Sequence, residues 1–170
     1  MELEGSVMPR NSRDETVELT FNTEADSGLL LWKSQQDSGV TSEDYLLISL
    51  REGRPHVEYE LGGGPLSLSL PQRVNDDLPH KLFLVRTGRH VSLTLDDQHQ
   101  QNQTSAGSYQ VFNTEGNFFL GGGGTRPVAQ LTAGKSFRTF VGCLHSLVIN
   151  NKDLSFRNHK QSSNLVPCRE

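Results

Sequence analysis

Short segments with a hydrophobic period of two residues recur along the chain and predict β-strands. The clearest are residues 17–21, 66–70 and 90–95, where apolar and polar side chains alternate. Such alternation puts the apolar side chains on one face of an extended strand. Further strands are expected at residues 28–32, 45–50, 56–61, 81–86, 117–120 and 143–150. No window shows a competing helical period.

Turn-forming residues separate these segments. They lie at residues 26–28, 52–53, 62–65, 87–88, 96–97 and 121–124, and most contain Gly or Asp. Short strands separated by turns at this spacing are typical of a sandwich or a barrel. The sequence therefore predicts an all-β fold.

One hairpin can be assigned a register from the sequence. The segments 45–50 and 56–61 flank Glu52-Gly53, a dipeptide suited to a tight reversal. Centring the turn there places Ile48 opposite Val57 and Leu46 opposite Tyr59. All four are apolar, so this face of the hairpin is expected to point into the core.

The same register brings a carboxylate to the open end of the hairpin. The next pair on the apolar face is Asp44 with Leu61, whose Cβ atoms should lie roughly 5 Å apart. An acidic residue is unusual on a face that otherwise belongs to the core. The simple explanation, which the sequence alone favours over a functional role, is an Asp that forms a local turn before the strand.

Composition narrows the class of protein. The 170 residues are enough for one domain with a core, and the formal charge of −4 does not favour nucleic acid as a partner. No apolar run approaches the ~18 residues of a membrane helix, so membrane insertion is not expected. We interpret residues 1–14 as a disordered leader or linker and residues 15–170 as the domain.

No motif for catalysis is present. The six histidines are scattered, and neither a zinc-ligand spacing nor a nucleophile elbow occurs. A glycosidase that uses Glu58 and Glu60 as paired carboxylates is the best enzyme alternative. Exposed glutamates on a half-buried strand explain these two residues better, so we expect a protein that is not an enzyme.

The two cysteines and one sequon bear on the cellular compartment. A bridge between Cys143 and Cys168 would close a loop at the C-terminus and stabilise the fold by roughly 3–4 kcal/mol. Two free thiols in a cytosolic protein are equally compatible with the composition. Asn102-Gln-Thr104 is an N-glycosylation sequon in a polar stretch, residues 98–108, that is expected to be an exposed loop.

The ordered set of motifs resembles the laminin-G-like domains of perlecan, agrin, laminin α chains and neurexins. The most distinctive motifs are Asp26-Ser-Gly-Leu-Leu-Leu-Trp32, Asp44-Tyr-Leu-Leu-Ile-Ser-Leu50, Tyr59-Glu-Leu-Gly-Gly-Gly-Pro65, Phe119-Leu-Gly-Gly122, Phe140-Val-Gly-Cys143 and Pro167-Cys168. The resemblance implies a two-sheet antiparallel β-sandwich of jelly-roll or concanavalin-like type, an extracellular location and a Cys143–Cys168 disulfide. It departs from the family at Pro79, which stands where a buried Trp is common and should therefore begin a strand or lie at an edge.

The resemblance also implies a calcium site. Carried over residue by residue, its ligands are the side chains of Asp44 and Asn113 and the backbone carbonyls of Leu61 and Val111. Ca²⁺ prefers such oxygen ligands, and a site with one carboxylate should be weak, with a dissociation constant on the order of 10⁻⁴–10⁻³ M. The alternative for Asn113 is a polar residue that caps local backbone.

Family members use this rim to bind acidic glycans, such as those on dystroglycan, or protein receptors. Basic residues of the rim would assist an acidic ligand, and Arg126, Lys135 and Arg138 are the candidates. For each of them individually, solvated surface charge is the better explanation. We therefore expect a calcium-dependent binding module within a larger matrix or cell-surface protein. The alternatives are a structural spacer with a vestigial metal site and a carrier that holds a steroid-like ligand between the sheets.

Overall fold

A computed structural model describes residues 1–3, 11–35, 44–114, 116–154 and 168 of the chain. Within these ranges the elements are β1 (Glu2–Leu3), β2 (Asp14–Asn22), β3 (Gly28–Ser34), β4 (Tyr45–Arg51), β5 (Arg54–Glu60), β6 (Leu66–Ser69), β7 (His80–Thr87), β8 (His90–Leu95), β9 (His99–Thr104), β10 (Phe118–Leu120), α1 (Val128–Leu131), β11 (Cys143–Ile149) and β12 (Lys152–Asp153).

The strands form two six-stranded sheets that pack face to face. The first sheet has the order β1-β10-β3-β4-β5-β6, and the second has the order β12-β11-β2-β7-β8-β9. Every pair of neighbouring strands is antiparallel. The apolar side chains of the inner faces make one contiguous core, which includes Phe21, Ile48, Tyr59 and Leu93. The prediction of an all-β antiparallel sandwich is thus confirmed.

The disulfide implied by the resemblance is present. It joins Cys143, the first residue of β11, to Cys168, and the Cα atoms of the two cysteines are 5.6 Å apart. The bridge ties the C-terminal end of the chain to a strand of the second sheet. No helix among the described residues is long and apolar enough to cross a lipid bilayer.

The β4–β5 hairpin has the register expected from the sequence. Ile48 pairs with Val57, and Leu46 pairs with Tyr59. The reversal uses Glu52 and Gly53 with φ angles of 52° and 73°. Positive φ at both central residues gives a turn whose twist matches that of the flanking strands, which explains the tight register.

The N-terminal residues differ from the expected leader. Glu2 and Leu3 pair with β10, and the Leu3 side chain is buried in the core. Ser12 forms a bridge with Phe112, and β2 already begins at Asp14. The described residues of the interval 1–14 therefore contact the domain. Burial of the apolar Leu3 side chain and pairing of Glu2 and Leu3 with β10 explain why they do so. Residues 4–10 of the predicted leader lie outside the described part of the chain.

The stretch predicted as an exposed loop at residues 98–108 contains a strand. His99–Thr104 forms β9, which pairs with β8 along its whole length, and every residue of β9 is exposed. The expectation of exposure was correct, but the expectation of a loop was wrong. An edge strand made only of polar residues has no hydrophobic alternation, so the sequence pattern cannot reveal it.

A short helix covers part of the outer face of the first sheet. Val128 and Leu131 of α1 join a second apolar cluster with residues of β3, β4 and β10. Trp32 lies in this cluster and stacks on Tyr45, with ring centroids 5.3 Å apart. Trp32 therefore points away from the space between the sheets.

The loop before β7 explains how the chain accommodates Pro79. Pro79 immediately precedes β7, as expected for a residue that cannot donate to a sheet. Asp77 adopts a positive φ of 62° and accepts a hydrogen bond from the side chain of Asn22. His80 then holds the loop, because its ring lies 2.9 Å from Asp76 and 2.8 Å from Asp96.

We expect this double contact of His80 to make part of the stability depend on pH. Partial burial alone would lower the pKa of His80, but the hydrogen bonds to Asp96 and Asp76 outweigh burial and raise this pKa above 6.5. A raised folded-state pKa gives stabilisation that is complete below the unfolded-state pKa and is lost as pH rises through the folded-state pKa. The excess stability of the native chain over His80→Gln should therefore shrink as pH rises from about 5.5 to about 8.5.

Urea unfolding of both proteins across this pH range measures the effect. His99→Gln is the matched control, because His99 is an exposed residue of β9 whose ring forms a hydrogen bond with the side chain of Gln72. The control measures how much of a pH-dependent difference comes from replacing an exposed histidine. A constant difference for His80→Gln would show that the histidine does not carry the effect.

Candidate functional site

The open end of the β4–β5 hairpin brings Asp44 and Leu61 together. Asp44 directly precedes β4 and Leu61 directly follows β5, and the last pair of the ladder between them is Tyr45 with Glu60. Both residues are largely buried, with Asp44 exposed by 8% and Leu61 by 3%. A carboxylate is therefore held at the edge of the core, as the register predicted.

The segment 111–113 reaches the same end from a distant part of the chain. Phe112 exchanges two backbone hydrogen bonds with Ser12, at 2.8 and 3.3 Å, which fixes the path of this segment. The backbone N–H of Asn113 donates a hydrogen bond of 2.7 Å to Oδ2 of Asp44. The predicted residues Asp44, Leu61, Val111 and Asn113 thus belong to three chain segments that meet at one end of the sandwich.

A second carboxylate, which the sequence analysis placed on an exposed face, lies beside Asp44. Glu60 is only 8% exposed, and its Oε1 accepts hydrogen bonds from the backbone N–H groups of Gly62 and Gly64 at 2.6 and 3.0 Å. The signal for this role was the glycine run directly after Glu60, whose free N–H groups need an acceptor. Glu60 thereby shapes the turn that carries the Leu61 carbonyl.

The electrostatic environment of Asp44 disfavours its negative charge. Burial raises the pKa of Asp44, and the nearby Glu60 raises this pKa further. The hydrogen bond from Asn113 and the charge of Arg86 act in the opposite direction, but the net shift is upward. Arg86 is itself paired with the buried Glu15. The guanidinium that acts on Asp44 is therefore already engaged in an ion pair with another carboxylate.

The oxygen atoms available as ligands at this end suit a hard cation. Carboxylate, amide and carbonyl oxygens are the ligand types that Ca²⁺ prefers. Within the described residues, Oδ1 of Asp44 accepts no hydrogen bond, so one carboxylate oxygen has no donor. The described part of the chain contains no cluster of three or more His, Cys, Asp or Glu side chains that could hold a metal ion. A cation here would depend on few charged ligands and on backbone carbonyls.

The three basic residues proposed for the rim contact the first sheet at its outer face or at the start of β3. Lys135 is 2.9 Å from Glu58 and 4.5 Å from the centroid of the Tyr45 ring, and Arg126 lies 5.0 Å from the centroid of Phe119. These contacts place both residues over the outer face of the first sheet. The backbone carbonyl of Arg138 accepts a hydrogen bond from Leu29 near the start of β3, at the opposite end of the sheet from Asp44.

Glu58, which the sequence analysis interpreted as exposed, is an acceptor in a polar network on this outer face. Its side chain is 13% exposed and contacts His56, Tyr45 and Lys135. The pKa of Glu58 is lowered, chiefly by the His56 ring 3.6 Å away and then by the hydrogen bonds from Tyr45 and Lys135, although burial opposes the shift. Burial and the contact with Glu58 raise the pKa of Tyr45. Glu58 and Glu60 therefore have separate partners, and each satisfies donors of the fold.

The sequon residue Asn102 is exposed on β9. It lies opposite Ser92, and its Oδ1 accepts a hydrogen bond of 3.3 Å from the side chain of Gln100. The geometry leaves the amide at the outer surface of an edge strand, where a glycan could be attached without disturbing the core.

Comparison with known proteins identifies matches over most of the chain. The family model described as the laminin G domain matches residues 21–155. The basement membrane proteoglycan of Caenorhabditis elegans is 32% identical over 161 residues, which are 94% of this chain and 5% of that protein. The basement membrane-specific heparan sulfate proteoglycan core protein of Mus musculus is 30% identical over 136 residues, which are 80% of this chain and 4% of that protein. Human pikachurin is 30% identical over 134 residues, covering 79% of this chain and 13% of that protein.

Solved structures share the same architecture. Domains LG4-5 of the mouse laminin alpha1 chain superpose with a TM-score of 0.80 and 24% identity, covering 96% of this chain and 42% of that one. The CBM40 module of a Ruminococcus gnavus sialidase, bound to α2,3-sialyllactose, superposes with a TM-score of 0.64 and 13% identity, covering 92% and 88% of the two chains. At these identities the superpositions establish the fold alone.

Proposed function

Because this chain belongs to the laminin G domain family of extracellular matrix proteins, we propose that it is a calcium-dependent binding module whose working surface is the Asp44 end of the sandwich. The observation that carries the proposal is the carboxylate of Asp44, of which only Oδ2 accepts a hydrogen bond within the described residues. It is largely buried, lies beside Glu60, and meets the 111–113 segment through Asn113. Burial disfavours the charged form of this carboxylate, and a bound cation would offset that cost.

The residues that would hold calcium are those at the meeting point of the three segments. They are the side chains of Asp44 and Asn113 and the carbonyls of Leu61 and Val111. Calcium, when bound, supplies positive charge and coordination positions that outside oxygens can complete. Glu60 holds the turn after β5 in place, and the Ser12–Phe112 bridge holds the opposite segment. The ligand we propose is an acidic glycan of the dystroglycan type or a protein receptor, with other domains of a longer protein on either side.

Replacing Asp44 by alanine is the direct test of the calcium site. We expect calorimetric titration of Ca²⁺ into chelator-stripped native protein to show one weak site, with a dissociation constant on the order of 10⁻⁴–10⁻³ M. Asp44→Ala should weaken binding at least about tenfold, because it removes a carboxylate ligand. Asp153→Ala is the matched control, since Asp153 is an exposed aspartate of β12. Equal titrations of the native chain and Asp44→Ala would exclude the proposed site.

One observation favours a structural spacer as the second candidate. Oδ2 of Asp44 already accepts the Asn113 N–H, so the carboxylate has a role in the fold without any metal. A spacer would show no calcium binding and would lose stability in Asp44→Ala. The same titration, combined with urea unfolding of the variant, separates the two functions.

The carrier alternative has less support. A ligand held between the sheets needs space there, whereas the inner faces make one contiguous apolar cluster and Trp32 lies on the outside.

We further propose that the module is not an enzyme, because Glu58 and Glu60 bind partners within the fold. Asn102 is proposed as a glycosylated residue, given its exposure on β9.

A further inference from the structure

A depression of about 470 Å³ lies on the outer face of the first sheet, at the end opposite Asp44. Its walls are the start of β3 at Gly28, the end of β4 from Ser49 to Arg51, and the loop 134–138 that follows α1. Asp44 and Arg51 stand at the two ends of the seven-residue strand β4. At about 3.3 Å per residue, roughly 20 Å separate this depression from the candidate calcium site.

The depression carries an excess of positive charge. Arg51, Lys135 and Arg138 line it. Glu58 compensates two of these cations, since it lies 2.9 Å from Lys135 and 3.8 Å from Arg51. Arg138 is exposed and forms no ion pair within the described part of the chain. Among the described residues one carboxylate therefore balances three cations, which favours an anionic ligand.

Two uncharged residues of the depression also point to a ligand. Ser49 is 1% exposed, and its hydroxyl has no hydrogen-bond partner among the described residues. A buried hydroxyl without a partner is unusual and costly. Phe137 is 73% exposed, which makes it an unusually open aromatic side chain at the edge of the same depression. The site therefore combines cations, a hydroxyl without a partner and an apolar surface.

We propose that this depression binds an acidic saccharide, a sugar ring bearing a sulfate or a carboxylate, without any need for calcium. The guanidinium groups of Arg138 and Arg51 donate charge-assisted hydrogen bonds to the oxyanion. The Phe137 ring packs against the C–H face of the sugar, and the Ser49 hydroxyl lies at the floor of the site. Because none of these residues belongs to the Asp44 end, this site and the calcium rim are independent surfaces.

Titration of two defined saccharides in the presence of EDTA tests this site. A heparin-derived hexasaccharide supplies sulfate, and sialyllactose supplies a carboxylate alone, so the two arms identify the preferred anion. We expect the native chain to bind at least one of them by calorimetry. Arg138→Gln should weaken that binding about tenfold or more, the size expected for a lost hydrogen bond between charged groups. Phe137→Ala should weaken it several-fold through loss of packing.

Arg13→Gln is the matched control, because it removes the same charge from an exposed arginine near the start of β2, at the other end of the sandwich. Its affinity should stay within about twofold of native. No binding of either saccharide in EDTA would overturn the proposal. Equal losses in Arg13→Gln and Arg138→Gln would also overturn it, since they would show diffuse charge attraction. Failure of the calcium titration would leave this test unaffected.

Discussion

Replacing Arg86 by methionine is expected to lower the free energy of unfolding by about 3–5 kcal/mol, the cost of leaving a buried charge unpaired. Arg86 is fully buried, and Glu15, its partner, is 2% exposed. Nε and Nη2 of Arg86 donate to the two carboxylate oxygens of Glu15. The hydroxyl of Tyr59 donates to the same carboxylate at 2.5 Å. Methionine fills similar space but leaves Glu15 with a charge that burial penalises.

The effect should extend to the candidate calcium site. Nη1 of Arg86 donates to the carbonyls of Gly88 and Gln110, and Nη2 donates to the carbonyl of Ser12. Ser12 forms the bridge with Phe112, which is next to Asn113, and Gln110 lies two residues before Phe112. Loss of the guanidinium therefore removes the anchor of the segment that contacts Asp44. Calcium affinity should fall in Arg86→Met although Arg86 is not a proposed ligand.

Urea unfolding of four proteins measures the first effect. They are the native chain, Arg86→Met, the double variant Arg86→Met with Glu15→Leu, and Arg73→Met. The double variant should recover much of the loss, because it removes both charges. Arg73→Met should cost less than about 1 kcal/mol, since Arg73 forms an exposed pair with Asp26. A loss below about 1.5 kcal/mol in Arg86→Met would contradict the role assigned to the pair.

Removing the disulfide is expected to have the second largest effect. Cys143 and Cys168 are 25 residues apart in the sequence, and the chain-entropy model assigns a loop of this length about 3–4 kcal/mol. The bridge is also the only described contact of Cys168 with the rest of the fold. Reduction should therefore lower the midpoint of urea unfolding without changing the identity of the folded state.

A double replacement of both cysteines by alanine provides the measurement. It should lower the free energy of unfolding by the same amount as reduction of the native chain with dithiothreitol. The control is the double variant itself in dithiothreitol, whose midpoint should not move. A single Cys143→Ala variant should match the double variant within about 1 kcal/mol. If reduction leaves the native midpoint unchanged, the disulfide does not contribute to stability.

Several features of the fold were accessible from the sequence because they depend on neighbouring residues. The β4–β5 hairpin is the clearest case. Its apolar period of two fixes which side chains face the core, and Glu52-Gly53 fixes where the chain reverses. Asp44 and Leu61 could therefore be placed opposite each other before any tertiary information. The cysteine pairing required the family resemblance, since two cysteines alone leave the redox state open.

Other features had no signal in the local pattern. Strand β9 is polar throughout, so nothing in its composition distinguishes it from a loop. Helix α1 has only four residues, too few for a helical period to be recognised. Glu58 and Glu60 alternate with Val57 and Tyr59, which is the pattern of an exposed polar face. Their burial results from the loop 134–138 and the glycine turn that cover them.

The sequence by itself determined most of the strand segments, their turns and the hairpin register, because each follows from residues close together in the chain. The order of its motifs indicated the family. The tertiary structure decided which distant groups meet. The N–H of Asn113 reaches Asp44 across 69 residues, and Arg86 reaches Glu15 across 71. Neither pairing has a local period, since each depends on how the two sheets pack. The same packing brought Lys135 to Glu58 and the backbone of Arg138 to the start of β3, contacts that no local pattern indicates.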